Sequence, residues 1–206
     1  MKLLFAHGWG FDRHFWDGLA RLLPQWEQVR DDRGYFGDPL PLNVTGPCIA
    51  VAHSFGTMRI LADPPAGLAG LVAINGFERF TALRGRPGVP FRVVDLMLRQ
   101  FDRDPRAVAG EFRRRLGCEE PFAEIDPGPL RADLLRLRDA RPPLPAVPVL
   151  VLHGAADPLL PEAMREACFP GIGARRLQHE TAGHLLPLED PHLCAQVVRG
   201  MVELAS

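Results

Sequence analysis

Three segments of this 206-residue chain carry side chains that together could perform acyl-transfer chemistry. In Ile49-Ala50-Val51-Ala52-His53-Ser54-Phe55-Gly56 an apolar strand runs into a sharp turn with Ser54 at its tip, and a helix follows. Small residues stand two before and two after the serine, as a strand and a helix passing close together require. An ordinary strand-to-helix turn with Ser54 as its N-cap is the alternative reading. Val151-Leu152-His153-Gly154-Ala155-Ala156-Asp157 is a second apolar strand whose end delivers a carboxylate. The alternative for Asp157 is a turn carboxylate capping the helix that opens at Pro161. Thr181-Ala182-Gly183-His184 sets a histidine just before the last helix. A serine hydroxyl is a weak nucleophile at neutral pH. A neutral imidazole within hydrogen-bond reach can take its proton, and a carboxylate fixes the tautomer and stabilises the imidazolium.

These groups lie far apart in sequence, so a scaffold must bring them together. Lys2–Ala6, Gln28–Arg30, Cys48–Ala52, Gly70–Ile74, Val149–Leu152 and Arg175–His179 read as strands. Helical patterns lie between them: Phe15, Trp16, Leu19, Leu22 and Leu23 at helical spacing, then Ser54 to about Leu61, Pro161–Cys168 and Pro191–Leu204. Strands alternating with helices predict an α/β protein with a mostly parallel sheet. From Phe77 to about Pro145 the strand pattern stops, and helical runs appear around Phe91–Phe101, Pro105–Leu116 and Pro129–Arg138. The expectation is a core formed by residues 1–76 and 146–206, with a helical cap inserted at 77–145.

Composition narrows the function. Lys+Arg is 24 and Asp+Glu is 25, a formal net charge of −1. General nucleic-acid binding depends on a strong positive field, so it is not expected. No stretch approaches the roughly 20 apolar residues that span a bilayer. Cys48, Cys118, Cys168 and Cys194 form no C-x-x-C pair, which argues against a zinc or redox motif. The expectation is a cytoplasmic, monomeric protein with no metal and no cofactor. The charge is nevertheless uneven: residues 84–117 hold nine Arg against four acids, a net +5.

The serine turn resembles the G-x-S-x-G nucleophile elbow of α/β-hydrolases, with Ala52 at the first glycine position. The Asp157 and His184 segments resemble the acid and base loops of the same superfamily, in its chain order of Ser, Asp, His. The resemblance implies catalysis by Ser54, Asp157 and His184. It also implies an oxyanion hole formed by the backbone N–H groups of Phe55 and of Trp9, in the Gly-rich turn His7-Gly8-Trp9-Gly10. His7 is then a structural histidine holding that turn.

The whole chain is similar to the pimeloyl-acyl-carrier-protein methyl ester carboxylesterase family of biotin synthesis. The likeness runs from His7-Gly8-Trp9-Gly10, through Trp16 and the Gly34–Gly37 loop, to the elbow and both later loops. It also touches Arg86-Pro87-Gly88-Val89 and the following helices, with Phe112 near the end of one. It implies an α/β-hydrolase fold with a helical cap, Trp9 and Phe112 against the substrate, and an acyl-carrier protein or a small ester as partner. Acyl-carrier proteins are acidic, so Arg106, Arg113, Arg114 and Arg115 become candidate carrier contacts. A solvated helix face is the alternative for these arginines. Leu98 and Phe101 line an acyl channel or are simply core. Three features depart from the family: the N-terminal hairpin is missing, the cap is shortened after Gly117, and Ala52 replaces the elbow glycine. Two rival readings stand beside the carrier one, a general short-chain carboxylesterase or thioesterase and a non-catalytic binding protein on the same fold.

Overall fold

The computed structural model describes residues 1–205. Its elements run β1 (Lys2–Ala6), a 3₁₀ turn (Arg13–Trp16), α1 (Asp17–Arg21), β2 (Glu27–Arg30), β3 (Cys48–His53), α2 (Phe55–Ala62) and β4 (Leu68–Ile74). Then follow α3 (Phe91–Phe101), α4 (Pro105–Arg115), α5 (Pro127–Asp139), β5 (Val149–Gly154), α6 (Glu162–Ala167), β6 (Arg175–His179), α7 (Leu186–Glu189) and α8 (Pro191–Ala205). Among the described residues, no helix is long and apolar enough to cross a membrane.

The six strands form one sheet in the order β2-β1-β3-β4-β5-β6, and every neighbouring pair is parallel. Parallel strands need crossovers, which explains the helix between nearly every pair. The central strands β1, β3, β4 and β5 are covered on both faces, so they read as near-continuous apolar runs. The edge strands β2 and β6 are polar: Glu27-Gln28-Val29-Arg30 and Arg175-Arg176-Leu177-Gln178-His179. Charged edges resist pairing with another chain.

Alternation along each strand assigns the two faces. Leu3, Phe5, Ile49, Val51, Val72, Ile74, Leu150 and Leu152 pack against α8 through Cys194, Val197, Val198, Met201 and Val202. Leu4, Ala6, Ala50, Ala52, Leu71, Ala73, Val149 and Val151 pack on the opposite side against Ile60 and Leu61 of α2. A third apolar cluster joins Leu98, Phe101, Ala109, Leu130 and Leu134 of α3–α5 to Trp9 and Phe55. The helical stretch thus sits over the carboxyl ends of β1 and β3. That is where strand order reverses, with β2 on one side of β1 and β3 on the other. In open parallel sheets the crevice at such a reversal is the usual binding place.

Candidate active site

The carboxyl end of β3 leads straight into the elbow. Ser54 has φ 52° and ψ −124°, a conformation that a non-glycine residue adopts only where its surroundings force it. The force comes from close packing. A Cβ placed on Gly56 would lie 2.2 Å from the Ala6 carbonyl oxygen and 2.7 Å from that of His7, so only glycine fits there. At the other small position, Ala52 is paired with Ala6 and Ala73 on the neighbouring strands and is fully buried. The elbow accommodates its methyl group, so the departure at this position leaves the turn intact. Gly8 serves the approach from β1. A Cβ there would stand 2.8 Å from His53 Nδ1 and 3.2 Å from the Ser54 Cβ.

The three predicted side chains meet. Ser54 Oγ lies 3.0 Å from His184 Nε2, and His184 Nδ1 lies 2.7 Å from Asp157 Oδ2. Because Nδ1 faces a carboxylate, it carries the ring proton, which leaves the Nε2 lone pair for the serine hydroxyl. Asp157 also accepts from the Leu159 and Leu160 backbone N–H groups at 2.7 and 3.1 Å and from Asn75 Nδ2 at 3.0 Å. Burial pushes its carboxyl pKa up, but His184 and the Leu159 and Leu160 N–H groups outweigh burial and hold it below the ordinary carboxylate value. Asp157 does not cap the helix, since α6 has Pro161 at its N-cap with no side-chain bond; Oδ1 closes the turn before it while Oδ2 faces the histidine.

Three residues hold the His184 loop: Asn75 and His53, which sequence reasoning did not place at the site, and Glu189, which with Asp190 stands close enough in sequence to His184 to compete with Asp157 as the acid. Asn75, with φ 45°, follows β4 directly. Its side chain donates to Asp157 and to the Gly183 carbonyl (2.8 Å), and accepts from the Gly154 N–H (3.1 Å). Glu189 accepts from the backbone N–H groups of Gly183 and Leu185, so it braces the loop rather than the imidazole. His53 donates from Nε2 to the His184 carbonyl at 2.9 Å and stacks on Phe15. The only sequence signals were the Asn75-Gly76 pair at a strand end and the position of His53 next to the serine. His53 is the last residue of β3 and His153 the last but one of β5, and both are buried.

Phe55 opens α2, and the backbone N–H groups of a helix's first turn have no partner within the helix. Trp9 follows Gly8 against the elbow. His7 is buried and has the structural position expected of it. Its Nε2 accepts from the Arg33 N–H, so Nδ1 carries the proton and donates to the Gly8 carbonyl. That carbonyl belongs to the same peptide unit as the Trp9 N–H, so His7 fixes the plane of the candidate donor. Burial lowers the His7 pKa and keeps the ring neutral. Phe112 meets Trp9 edge to face at 4.9 Å. Leu98 and Phe101 are buried in the cluster of α3–α5, and the core reading holds for them.

The four candidate arginines separate. Arg106 is exposed and donates to the Phe122 and Ala123 carbonyls. Arg114 is exposed and paired with Glu111, and Arg115 is exposed near the Pro158 carbonyl. Arg113 does not fit the expectation of a surface contact. It is 8 % exposed and turns inward, because successive residues of a helix point about 100° apart. Arg99 is paired with Asp95 and Arg131 with Asp102, two of the acids already counted in the net +5 of the segment.

Ser54 is 5 % and His184 1 % exposed, so the described conformation covers the site. A cavity of about 710 Å³ lies between α2, the 42–45 loop and α5. Its walls include Phe55, Met58 and Arg136 but none of the three proposed catalytic side chains. Among the described residues, no cluster of three or more His, Cys, Asp or Glu side chains could hold a metal ion.

The sheet and its elbow have the α/β-hydrolase fold. Comparison with solved structures agrees on the fold. An esterase from Exiguobacterium antarcticum superposes with a TM-score of 0.79 at 18% identity, covering 98% of this chain and 92% of that one. A thermophilic esterase from Thermogutta terrifontis superposes with a TM-score of 0.74 at 20% identity, covering 100% and 90%. In sequence the chain resembles a pimeloyl-[acyl-carrier protein] methyl ester esterase of Neisseria meningitidis, with 26% identity over 98% of this chain and 93% of that protein. No family model matches it.

Proposed function

We propose that the chain is a serine carboxylesterase, with residues 77–145 as a cap over the core of 1–76 and 146–206. Ser54 attacks the ester carbonyl while His184 takes its proton. The backbone N–H groups of Trp9 and Phe55 receive the oxyanion, and the alcohol leaves with the proton from His184. Water, activated by the same imidazole, then releases the acid from Ser54, and Asp157 steadies the imidazolium in both halves. The observation that carries this reading is the unbroken chain of hydrogen bonds from Ser54 through His184 to Asp157, all three buried.

For the substrate, the proposal is a methyl ester on an acyl chain held by a carrier protein. Similarity to the Neisseria esterase and the exposed Arg106, Arg114 and Arg115 support it. A general short-chain carboxylesterase is the second reading, and the engagement of Arg106 by two backbone carbonyls and of Arg114 by Glu111 favours it. The test compares a carrier-linked methyl ester with p-nitrophenyl butyrate. The carrier reading predicts that Arg106→Glu, Arg114→Glu and Arg115→Glu together, or added salt, raise KM for the carrier substrate and leave the small ester nearly unchanged. An equal response of both substrates would leave the general esterase as the answer.

A further inference from the structure

Arg113 is a guanidinium buried without a carboxylate: among the described residues it forms no ion pair. Burying a charge is costly unless its hydrogen-bonding groups are satisfied, so the contacts it does make are informative. It donates from Nη1 to the Gly10 carbonyl at 2.9 Å and from Nη2 to Cys118 Sγ at 3.1 Å. Its guanidinium carbon lies 4.9 Å from the Phe11 ring centroid, 5.3 Å from that of Phe122 and 5.8 Å from that of Phe36. The charge is thus held by ring faces, the Cys118 sulfur and one carbonyl, and that carbonyl belongs to the turn that carries Trp9.

The same turn is gripped by the cap twice more. The Trp9 indole N–H donates to the Leu130 carbonyl of α5 at 2.8 Å. Its ring packs edge-on against Phe112 of α4 and Phe101 of α3. On the core side His7 bonds the Gly8 carbonyl, Gly8 closely approaches His53 and Ser54, and Trp9 shares an apolar cluster with Phe55 and Met58. A donor N–H aimed at a developing oxyanion must be held in place before the reaction, and a displacement of about 1 Å can cost about a hundredfold in rate.

We infer that Arg113 is a positioning residue: it ties cap helix α4 to the Gly8-Trp9-Gly10 turn, so that the Trp9 N–H is correctly aimed only when the cap is seated. This rests on the esterase reading above. Arg113 touches neither Ser54, His184 nor Asp157, so it is not a catalytic group. Its effect belongs in kcat, whereas a docking arginine would act on KM.

The experiment measures p-nitrophenyl butyrate hydrolysis by the wild type, Arg113→Met and Arg113→Lys, with active sites counted by a serine-reactive phosphonate. A trifluoromethyl ketone, which forms an oxyanionic adduct with a serine, and the corresponding unfluorinated ketone are compared as inhibitors. Arg113→Met should lower kcat per titrated site about tenfold to a hundredfold with KM within about threefold. Affinity for the trifluoromethyl ketone should fall in parallel while that for the plain ketone holds. Arg113→Lys keeps the charge and one donor but loses the fork and the ring stacking, and should recover part of the loss. Arg99→Met breaks an exposed ion pair of the same cap and should match the wild type. If Arg113→Met does not fold, Arg113→Lys carries the test, with a kcat loss of about threefold to tenfold. A rise in KM at unchanged kcat per site, or a loss of kcat with no change in trifluoromethyl ketone affinity, overturns the inference. Failure of the esterase reading looks different: the wild type itself would neither turn over ester nor take up phosphonate at Ser54.

Discussion

Replacing Asn75 by glycine should damage both stability and turnover, although the bonds of its side chain go to Asp157, Gly183 and Gly154 and not to Ser54. Glycine keeps the positive φ of 45° without strain, so the backbone is undisturbed and only the side chain's bonds are lost. Those bonds are three: to Asp157 Oδ2 at 3.0 Å, to the Gly183 carbonyl at 2.8 Å and from the Gly154 N–H at 3.1 Å. A neutral bond contributes about 1 kcal/mol net and one to an ionised carboxylate roughly 2 kcal/mol, so the loss is about 4 kcal/mol. The relieved φ and the greater freedom of glycine in the unfolded chain roughly cancel. Guanidinium unfolding measures the loss. With Asp157 and the His184 loop both loosened, kcat should fall about tenfold to a hundredfold on p-nitrophenyl butyrate. Asn75→Asp sharpens the test. It sets a second carboxylate against Asp157, the pair retains a proton, and activity relative to the wild type should rise with pH as that proton leaves. A glycine variant within about 1 kcal/mol of the wild type and with unchanged kcat would refute this account of how the acid and the histidine loop are held.

Two further outcomes follow from other groups. Burial pushes the His153 pKa down to about 4 from an ordinary 6.5, and it also lowers those of His7 and His53. The unfolded chain binds the extra protons, so stability is full above pH 6.5 and falls as pH drops toward 4. His153 alone accounts for about 3 kcal/mol, and thermal melts at stepped pH read the slope. Asp157→Asn should cut kcat by about 10⁴ through the wrong imidazole tautomer, whereas Glu189→Gln should cost far less. Steady-state kinetics of the two side by side distinguishes the acid that orients the ring from the one that braces its loop.

The sheet was legible because burial on both faces writes an apolar run into the sequence. All six strands, including the polar β6, lie within two residues of where pattern placed them. The four-residue elements, the 3₁₀ turn at Arg13–Trp16 and α7, were not legible. Pieces that short carry less than two turns of periodicity and take their form from what they pack against. Ser54, Asp157 and His184, which the fold brings into one hydrogen-bonded row, could be picked out because each sits at a strand end or loop with a local signature. Their supports could not: Asn75 reaches Asp157 across 82 residues, a distance no local pattern spans. Arg113 was misread because Arg113-Arg114-Arg115 looks like one charge run. A signal was there, since Ala109, Phe112, Arg113 and Leu116 share helical spacing and only the arginine breaks an otherwise apolar face.

The central claim, that Ser54 is the nucleophile of an ester hydrolase, is tested most directly by treating the protein with a serine-reactive phosphonate bearing a p-nitrophenolate leaving group and mapping the adduct by mass spectrometry. The account predicts one equivalent of p-nitrophenolate, a single adduct on Ser54, loss of esterase activity in step with labelling, and no adduct on Ser54→Ala. Ester hydrolysis that survives in a folded Ser54→Ala variant, or labelling at another residue that accounts for the activity, would contradict it.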